Sequence, residues 1–133
     1  MPTKRPESNE IQFQVLPENI TENQRQELER ILAELPAMKD GEVNFQPFQA
    51  QITNESDLLA TVIIRNYTEK IVNLEQIPLV VYGAQQEELT RGQFDIKGLT
   101  IEPFKAILWT FNFGHVLLDS SFDLSGWYIN VVQ

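Results

Sequence analysis

The sequence predicts a mainly β protein, an antiparallel β-sandwich of six to seven strands preceded by one N-terminal amphipathic α-helix. Three observations predict this fold. Apolar residues recur at helical spacing over residues 22–35, whereas from about residue 43 to residue 133 they follow a period of two. Turn signals separate the alternating segments at short intervals, and no helical pattern intervenes between them. Parallel crossover units are thereby excluded, and an immunoglobulin-like or fibronectin type III-like sandwich is favoured.

Composition limits the chemistry of the chain. A length of 133 residues, 42% of them hydrophobic, is enough for one domain with an ordinary apolar core. There is no cysteine, which excludes disulfides, thiol nucleophiles and thiolate metal sites. Because 19 acidic residues face 10 basic ones, for a net charge of -9, nucleic acid and anionic membrane surfaces are unfavourable partners.

The N-terminal residues 1–10 are predicted to form a disordered arm, since they carry two prolines and balanced charges. No apolar stretch of the roughly 7 to 15 residues typical of a secretory signal follows them. Nor does any run approach the roughly 18 apolar residues of a membrane-spanning helix. We therefore expect a cytoplasmic chain with no direct membrane insertion.

The helix over about 22–35 is the clearest local prediction. Thr21 and Gln24 form a capping-box pattern at its start, and Pro36 ends it. One face is apolar: Leu28, Ile31, Leu32 and Leu35. The opposite face is charged and is expected to be solvated: Glu22, Arg25, Gln26, Glu29 and Arg30.

The sheet region begins at about residue 43 with an alternation that slips by one at Pro47, which predicts a bulge or kink there. Val43 and Phe45 share one phase, and the other holds Phe48, Ala50 and Ile52. The segment 58–66 is apolar in both phases, as in a central buried strand. Residues 70–83 predict one strand kinked at Pro78 or two short strands around it.

Two further strands show which face is buried. Residues 89–96 form a mostly polar strand anchored by Leu89, Phe94 and Ile96. Residues 105–113 place the following side chains on one buried face: Ile107, Trp109, Phe111 and Phe113. The aromatics of the last two strands (these together with Trp127 and Tyr128) are interpreted as core rather than as a ligand platform. Outward-facing tyrosines would mark a protein contact, and the candidates are Tyr67, Tyr82 and Tyr128.

No catalytic, cofactor-binding or metal-binding residue is predicted, and no cofactor is expected. His115 is the only histidine, so a site with two imidazoles is excluded. The six glycines are all isolated and form neither a dinucleotide fingerprint nor a phosphate loop. A carboxylate pair for glycan hydrolysis remains an alternative, drawn from Asp95, Glu102, Asp119 and Asp123.

The order of these segments resembles the SLAP domain of Gram-positive bacteria, which is named for S-layer assembly proteins of the accessory Sec system. The most recognisable pieces are Ile64-Arg65-Asn66, the run from Ile101 to Phe113, and the closing Gly126-Trp127. The resemblance covers roughly residues 16–133, and one SLAP-like domain is expected over residues 11–133.

The resemblance implies a bacterial, non-enzymatic accessory factor for the export or assembly of surface-layer proteins, working with a SecA-type ATPase on the cytoplasmic side. The first hypothesis is thus a protein-interaction module that binds export machinery or an exported client. Free sheet edges at residues 43–53 and 89–96 are the candidate contacts, to be tested by Phe94→Pro. The alternatives are the glycan hydrolase and a purely structural spacer. A monomer and a weak edge-mediated dimer are both compatible with the composition.

Overall fold

The computed structural model describes residues 6–118 and 122–132 of the chain. The elements are a 3-10 turn at Ser8–Glu10, β1 (Gln12–Phe13), α1 (Glu22–Glu34), β2 (Glu42–Ile52), β3 (Asp57–Tyr67), β4 (Val72–Asn73), β5 (Gln76–Tyr82), β6 (Glu88–Asp95), β7 (Thr100–Ile101), β8 (Lys105–His115) and β9 (Tyr128–Val131). Within the described ranges six strands have four residues or more, which agrees with the predicted six to seven.

The strands form a sandwich with α1 on its outside. One sheet has the order β1-β8-β3-β2, the other has the order β6-β5-β9, and β4 pairs with β7. Apolar residues of both sheets meet in a main core that includes Leu58, Leu79 and Phe111, all 0% exposed. A second cluster, the helix-side core, covers the other face of the four-stranded sheet with Leu32 of α1 against Ile63 and Ala106. The mainly β sandwich with one helix is confirmed, and its immunoglobulin-like or fibronectin-like arrangement stays a prediction.

The central strand is β3, as its two apolar phases predict. It pairs antiparallel with β2 on one side and with β8 on the other. Val62 and Ile64 face the main core, whereas Ile63 faces the helix-side core. The strand is therefore buried on both faces, which explains why its sequence shows no simple alternation.

The predicted irregularity in β2 is a bulge at Phe48. Pro47 pairs with Val62 and Gln49 pairs with Thr61, so Phe48 has no partner residue in β3. The assignment of Phe48 to the same face as Ala50 and Ile52 was wrong: those two pack on the main core, whereas Phe48 packs on the helix-side core. An extra residue in a strand re-aims its side chain, and period-two counting does not capture this.

The alternation of β8 is confirmed by its burial. Ile107 and Phe111 lie in the main core, with Trp109 and Phe113 packed against it, whereas Leu108 joins the helix-side core. The aromatic residues of β8 and Trp127 thus pack with the core, as predicted.

Pro78 does not interrupt its strand as predicted. It lies inside β5 opposite Gln93, and the break falls at residues 74–75, between β4 and β5. The Pro78 carbonyl accepts from the Val132 N–H at 2.9 Å, so Pro78 turns its backbone toward β9. The residues of β5 that pair with β9 begin at Leu79, so Pro78 lies at the end of that ladder. The N–H that proline lacks is tolerated at such an end.

Helix α1 begins and ends close to the predicted residues. The Thr21 hydroxyl accepts from the Gln24 N–H at 3.1 Å, and the Gln24 side chain accepts from the Thr21 N–H at 3.0 Å. The predicted capping box is therefore present, and it satisfies N–H groups that the first turn leaves free. The helix stops at Glu34, two residues before Pro36.

The N-terminal segment adds a short strand to one edge of the four-stranded sheet. Strand β1 pairs with β8 in parallel, which departs from the otherwise antiparallel pairing that was predicted. Of the predicted disordered arm, residues 1–5 lie outside the described residues, and Ser8–Glu10 form the 3-10 turn. The Tyr67 hydroxyl donates to the Pro6 carbonyl at 2.6 Å. In the described ranges no helix has the length and apolar character needed to cross a membrane.

Candidate functional site

An apolar groove lies between α1 and the outer face of the four-stranded sheet. It has a volume of about 580 Å³, which is in the range of ligand-binding sites. Its apolar lining comes from three parts of the chain: Pro17 and Ile20 before the helix, Leu28 and Ile31 on it, and Phe48 and Leu108 on the sheet. No pattern in the sequence predicted this groove.

Two local features of the strands build the floor of the groove. Phe48 reaches the outer face because it is the bulged residue of β2, and Leu108 reaches it because it alternates with Ile107 and Trp109 in β8. The slip at Pro47 was the only sequence signal for Phe48, and it located the bulge without indicating which side chain would be turned outward. Its apolar lining makes this groove a candidate binding site.

Both arginines of α1 pair with glutamates of the same helix. Arg25 pairs with Glu22 and Glu29, and Arg30 pairs with Glu27 and Glu34. These ion pairs are exposed, as the predicted solvated face requires, and the hydrogen bond from Arg30 lowers the pKa of the Glu27 carboxyl. Apart from Glu27, the polar residues that line the groove are uncharged: Asn19, Asn23 and Gln24.

Both predicted edge strands are edges among the described strands: β2 of the four-stranded sheet and β6 of the three-stranded sheet. The edge of β2 is interrupted by Pro47 and by the bulge at Phe48, devices that discourage pairing with another strand. A third edge was not predicted from the sequence. Strand β1 pairs only with Lys105 and Ala106 of β8, and no other described strand pairs with the rest of β8 on that side.

The direction of the backbone groups in β6 follows from two hydrogen bonds. The Val132 N–H donates to the Pro78 carbonyl on one side of β5, and the Ile96 N–H donates to the Glu75 carbonyl on the other. Because successive residues of a strand point their backbone groups to opposite sides, residues 90, 92 and 94 face β5. The backbone groups of residues 91, 93 and 95 therefore point out of the sheet.

This geometry corrects the variant chosen to test the β6 edge. Phe94 pairs with Ile77, so its N–H faces β5 rather than a partner strand. The centroid of its ring also lies 5.0 Å from those of Phe111 and Phe113. Phe94→Pro would therefore damage the domain itself, whereas Gln93→Pro removes an N–H that points outward.

The tyrosines do not form one exposed patch. Tyr67 is 7% exposed and belongs to the helix-side core. Tyr82 and Tyr128 are half-buried and stack with ring centroids 5.2 Å apart across β5 and β9. A partner surface made of all three side chains is excluded by the burial of Tyr67.

The acids considered for glycan hydrolysis lie in different surroundings. Asp95 lines a polar groove with Glu75 and Lys97. Asp123 accepts from the Ser125 N–H at 2.9 Å, and this bond lowers its pKa, opposite to the raised pKa that a general acid needs. The backbone carbonyl of Glu102 accepts a hydrogen bond from the Asn66 side-chain amide. Asp119 lies outside the described residues.

The single histidine is exposed at the end of β8. Its Nδ1 lies 3.3 Å from the Glu55 carbonyl oxygen. Residues 6–118 and 122–132 contain no group of three or more histidine and carboxylate side chains placed to hold a metal ion.

The most recognisable polar residues of the sequence, Arg65 and Asn66, are 1% and 0% exposed. Arg65 donates a hydrogen bond to the Pro36 carbonyl. The Asn66 side-chain amide donates to the carbonyls of Lys70 and Ile101 at 2.8 and 3.0 Å. Both residues therefore hold chain segments together. Gly126 also has a structural role. Its φ is +65°, which favours glycine, and a Cβ there would lie 2.9 Å from the Ala84 side chain.

Comparison with known proteins yields one result at the family level. The family model described as the SLAP domain matches residues 11–133, nearly the whole chain. No curated protein and no solved structure gives a significant match.

Proposed function

Since the chain belongs to the SLAP domain family, we propose that it is a non-enzymatic protein-interaction module that assists the export or assembly of surface proteins. The family description carries the association with accessory Sec export, and the apolar groove beside α1 carries the proposed mode of action. In this proposal the domain works on the cytoplasmic side, together with a SecA-type ATPase.

The proposed occupant of the groove is the apolar signal segment of an exported precursor. Such segments combine an apolar stretch with a preceding basic region. The groove supplies an apolar lining of about 580 Å³ for the first. The net charge of -9 attracts the second. The same charge disfavours the phosphates of nucleic acid, so a basic, apolar protein segment fits this chain better.

In this proposal the helix packed on the sandwich serves to form one wall of the binding groove. Ile31 and Leu28 form one wall, while Phe48 and Leu108 form the floor. An amphipathic or extended segment can bury apolar side chains in such a groove, and its ends remain in solvent. Binding then requires no catalytic residue in this chain.

The test compares two isoleucine-to-asparagine variants in affinity capture from a Gram-positive lysate at raised salt. Ile20→Asn makes a half-buried wall of the groove polar, whereas Ile71→Asn changes an isoleucine that is 64% exposed and outside the groove. Mass spectrometry then quantifies a surface-layer precursor and a SecA-type ATPase on each bait, including the wild-type chain.

We expect the precursor on the wild-type and Ile71→Asn baits and a loss of at least about tenfold on Ile20→Asn. Pull-down of purified precursor, with and without its signal segment, identifies the part that binds. Recovery of neither protein from cells that express both would contradict the export role. Equal capture by Ile20→Asn, with its fold intact by circular dichroism, would contradict the groove.

A further inference from the structure

We propose that the β6 edge pairs with the β6 edge of a second copy of this chain, antiparallel and centred on Gln93. Two three-stranded sheets, each ordered β6-β5-β9, would then join into one sheet of six strands. This surface is separate from the groove beside α1, and the pairing does not depend on the function proposed for that groove.

The backbone of β6 satisfies the first requirement for self-pairing. Arg91, Gln93 and Asp95 point their N–H and carbonyl groups out of the sheet, as the register with β5 requires. In an antiparallel pair centred on Gln93, each of these residues faces one of the same three in the second copy. All three pairs are then of the hydrogen-bonded type, which exchanges two N–H···O bonds per pair.

The side chains satisfy the second requirement, because they are complementary in this register. Arg91 lies opposite Asp95 of the second copy, Asp95 lies opposite its Arg91, and the two Gln93 side chains meet at the centre. All three side chains are exposed in the single chain. Opposite charges directly across two strands stabilise the pair, whereas like charges destabilise it.

Neighbouring registers lack this complementarity. An axis at Arg91 would place two arginines opposite each other, and an axis at Asp95 would do the same with two aspartates. An axis at Phe94 would place Arg91 opposite Lys97. An axis at Gly92 would place Arg91 opposite Gln93 and Asp95 opposite Leu89. Among these four axes and the one at Gln93, only the axis at Gln93 brings opposite charges of β6 together.

Two of the other described edges are less suited to pairing. Strand β2 carries Pro47 and the bulge at Phe48 on its edge, and β9 has only four residues. By contrast, β6 runs without proline from Glu88 to Asp95. Its irregularity in pairing with β5 falls at Leu89, outside the three residues that would pair with the second copy.

The existing partner of Arg91 does not prevent the exchange. Arg91 pairs with Glu88, but the two side chains are 59% and 43% exposed. Exposed ion pairs contribute little, so Arg91 can turn to Asp95 of a second copy at small cost. Three residue pairs make a small interface, and two chains of charge -9 repel each other. The dimer is therefore weak and forms at high protein concentration.

Sedimentation equilibrium of the purified chain, from about 10 µM to about 1 mM, tests this pairing. The wild type is expected to show a reversible monomer–dimer equilibrium. Arg91→Asp and Asp95→Arg each place like charges opposite each other twice, and each is expected to raise the Kd at least about tenfold. The double variant keeps the net charge and restores the complementary pairs, so its Kd is expected within about threefold of the wild type.

Asp95→Arg separates specific pairing from general repulsion, because it reduces the net negative charge and yet is expected to weaken the dimer. Gln93→Pro removes the central outward N–H, and Gln93→Ala keeps it as the matched control. If circular dichroism shows that Gln93→Pro does not fold, the Kd values of the charge variants test the proposal instead. A wild type that stays monomeric at about 1 mM, single variants with unchanged Kd, or a double variant as weak as the singles would each overturn the proposal.

Discussion

The buried guanidinium of Arg65 donates a hydrogen bond to the backbone carbonyl of Pro36 across 2.9 Å. A second N–H of the same group donates to Asn44 Oδ1, also at 2.9 Å. Arg65 therefore fastens the segment that follows α1 to the central strand of the sheet, and it helps to hold the helix that forms one wall of the groove. Desolvation lowers the pKa of Arg65, partly opposed by the charge of Glu42.

Replacing Arg65 by methionine tests this connection. Arg65→Met retains most of the side-chain volume but leaves the Pro36 carbonyl and the Asn44 amide oxygen without their donor. We expect the free energy of unfolding in urea to fall by about 1–3 kcal/mol. Arg25→Met, on the exposed face of α1, is the control and should change it by no more than about 0.5 kcal/mol. Equal stability of Arg65→Met and the wild type would show that burying the charge offsets both bonds.

Asn66→Asp tests the second buried polar residue. The Asn66 amide donates toward the carbonyls of Lys70, Ile101 and Glu102 at 2.8, 3.0 and 3.1 Å. One oxygen of an introduced carboxylate would face these three carbonyls, whereas the other would keep the Thr68 N–H and hydroxyl as donors. Because the site is 0% exposed and the carbonyls repel the charge, we expect the pKa in the folded chain to lie above the ordinary aspartate value of about 3.9. The loss of stability should therefore be smallest at low pH and should grow as the pH rises through this window.

Urea unfolding between about pH 3.5 and pH 7 measures this dependence. Asn130→Asp, at an exposed position of β9, is the matched control and should show almost none of it. A loss of stability in Asn66→Asp that does not vary with pH would contradict the role assigned to the amide.

Gly92→Ala tests the packing beneath the β6 edge. A Cβ on Gly92 would lie 3.0 Å from the Phe94 ring and 3.3 Å from the Phe113 ring. We expect a loss of about 1–2 kcal/mol in the free energy of unfolding. Adding Phe113→Leu should cost less than the sum of the two single changes, because the smaller side chain makes room. Stabilisation by Gly92→Ala would show that the lower backbone entropy of alanine outweighs the contact.

Glu75 is expected to titrate below the ordinary glutamate pKa of about 4.3. The Gly98 N–H donates to its carboxylate at 2.7 Å and the Asn73 amide at 2.9 Å, and both bonds lower the pKa. A lowered folded pKa adds stability above the unfolded value, and this stability is lost as the pH falls through the folded value.

Carbon-detected NMR titration of the Glu75 carboxyl measures this pKa. Asn73→Ala should raise it toward the ordinary value without reaching it, because the Gly98 donor remains. A wild-type pKa at or above the ordinary glutamate value would contradict the two hydrogen bonds.

Local patterns in the sequence predicted the elements that depend on nearby residues. The capping box at Thr21, the helix over Glu22–Glu34 and the alternation of β8 all appear as expected, since each depends on residues a few positions apart. The family was also predicted from the order of the segments, and the match over residues 11–133 confirms it. Phe48 and Pro78 were misplaced because bulges and strand breaks depend on the partner strand.

What the sequence determined by itself is therefore the class of fold, the single helix and the buried face of β8. Only the tertiary structure decided where the candidate contact surfaces lie. The groove joins Ile20, Leu28, Phe48 and Leu108, which are far apart in the chain, and no pattern within one segment contains that proximity. Likewise, the outward direction of Gln93 follows from the register between β5 and β6. Side-chain periodicity shows which face of a strand is apolar, but the pairing of strands decides which backbone groups remain free.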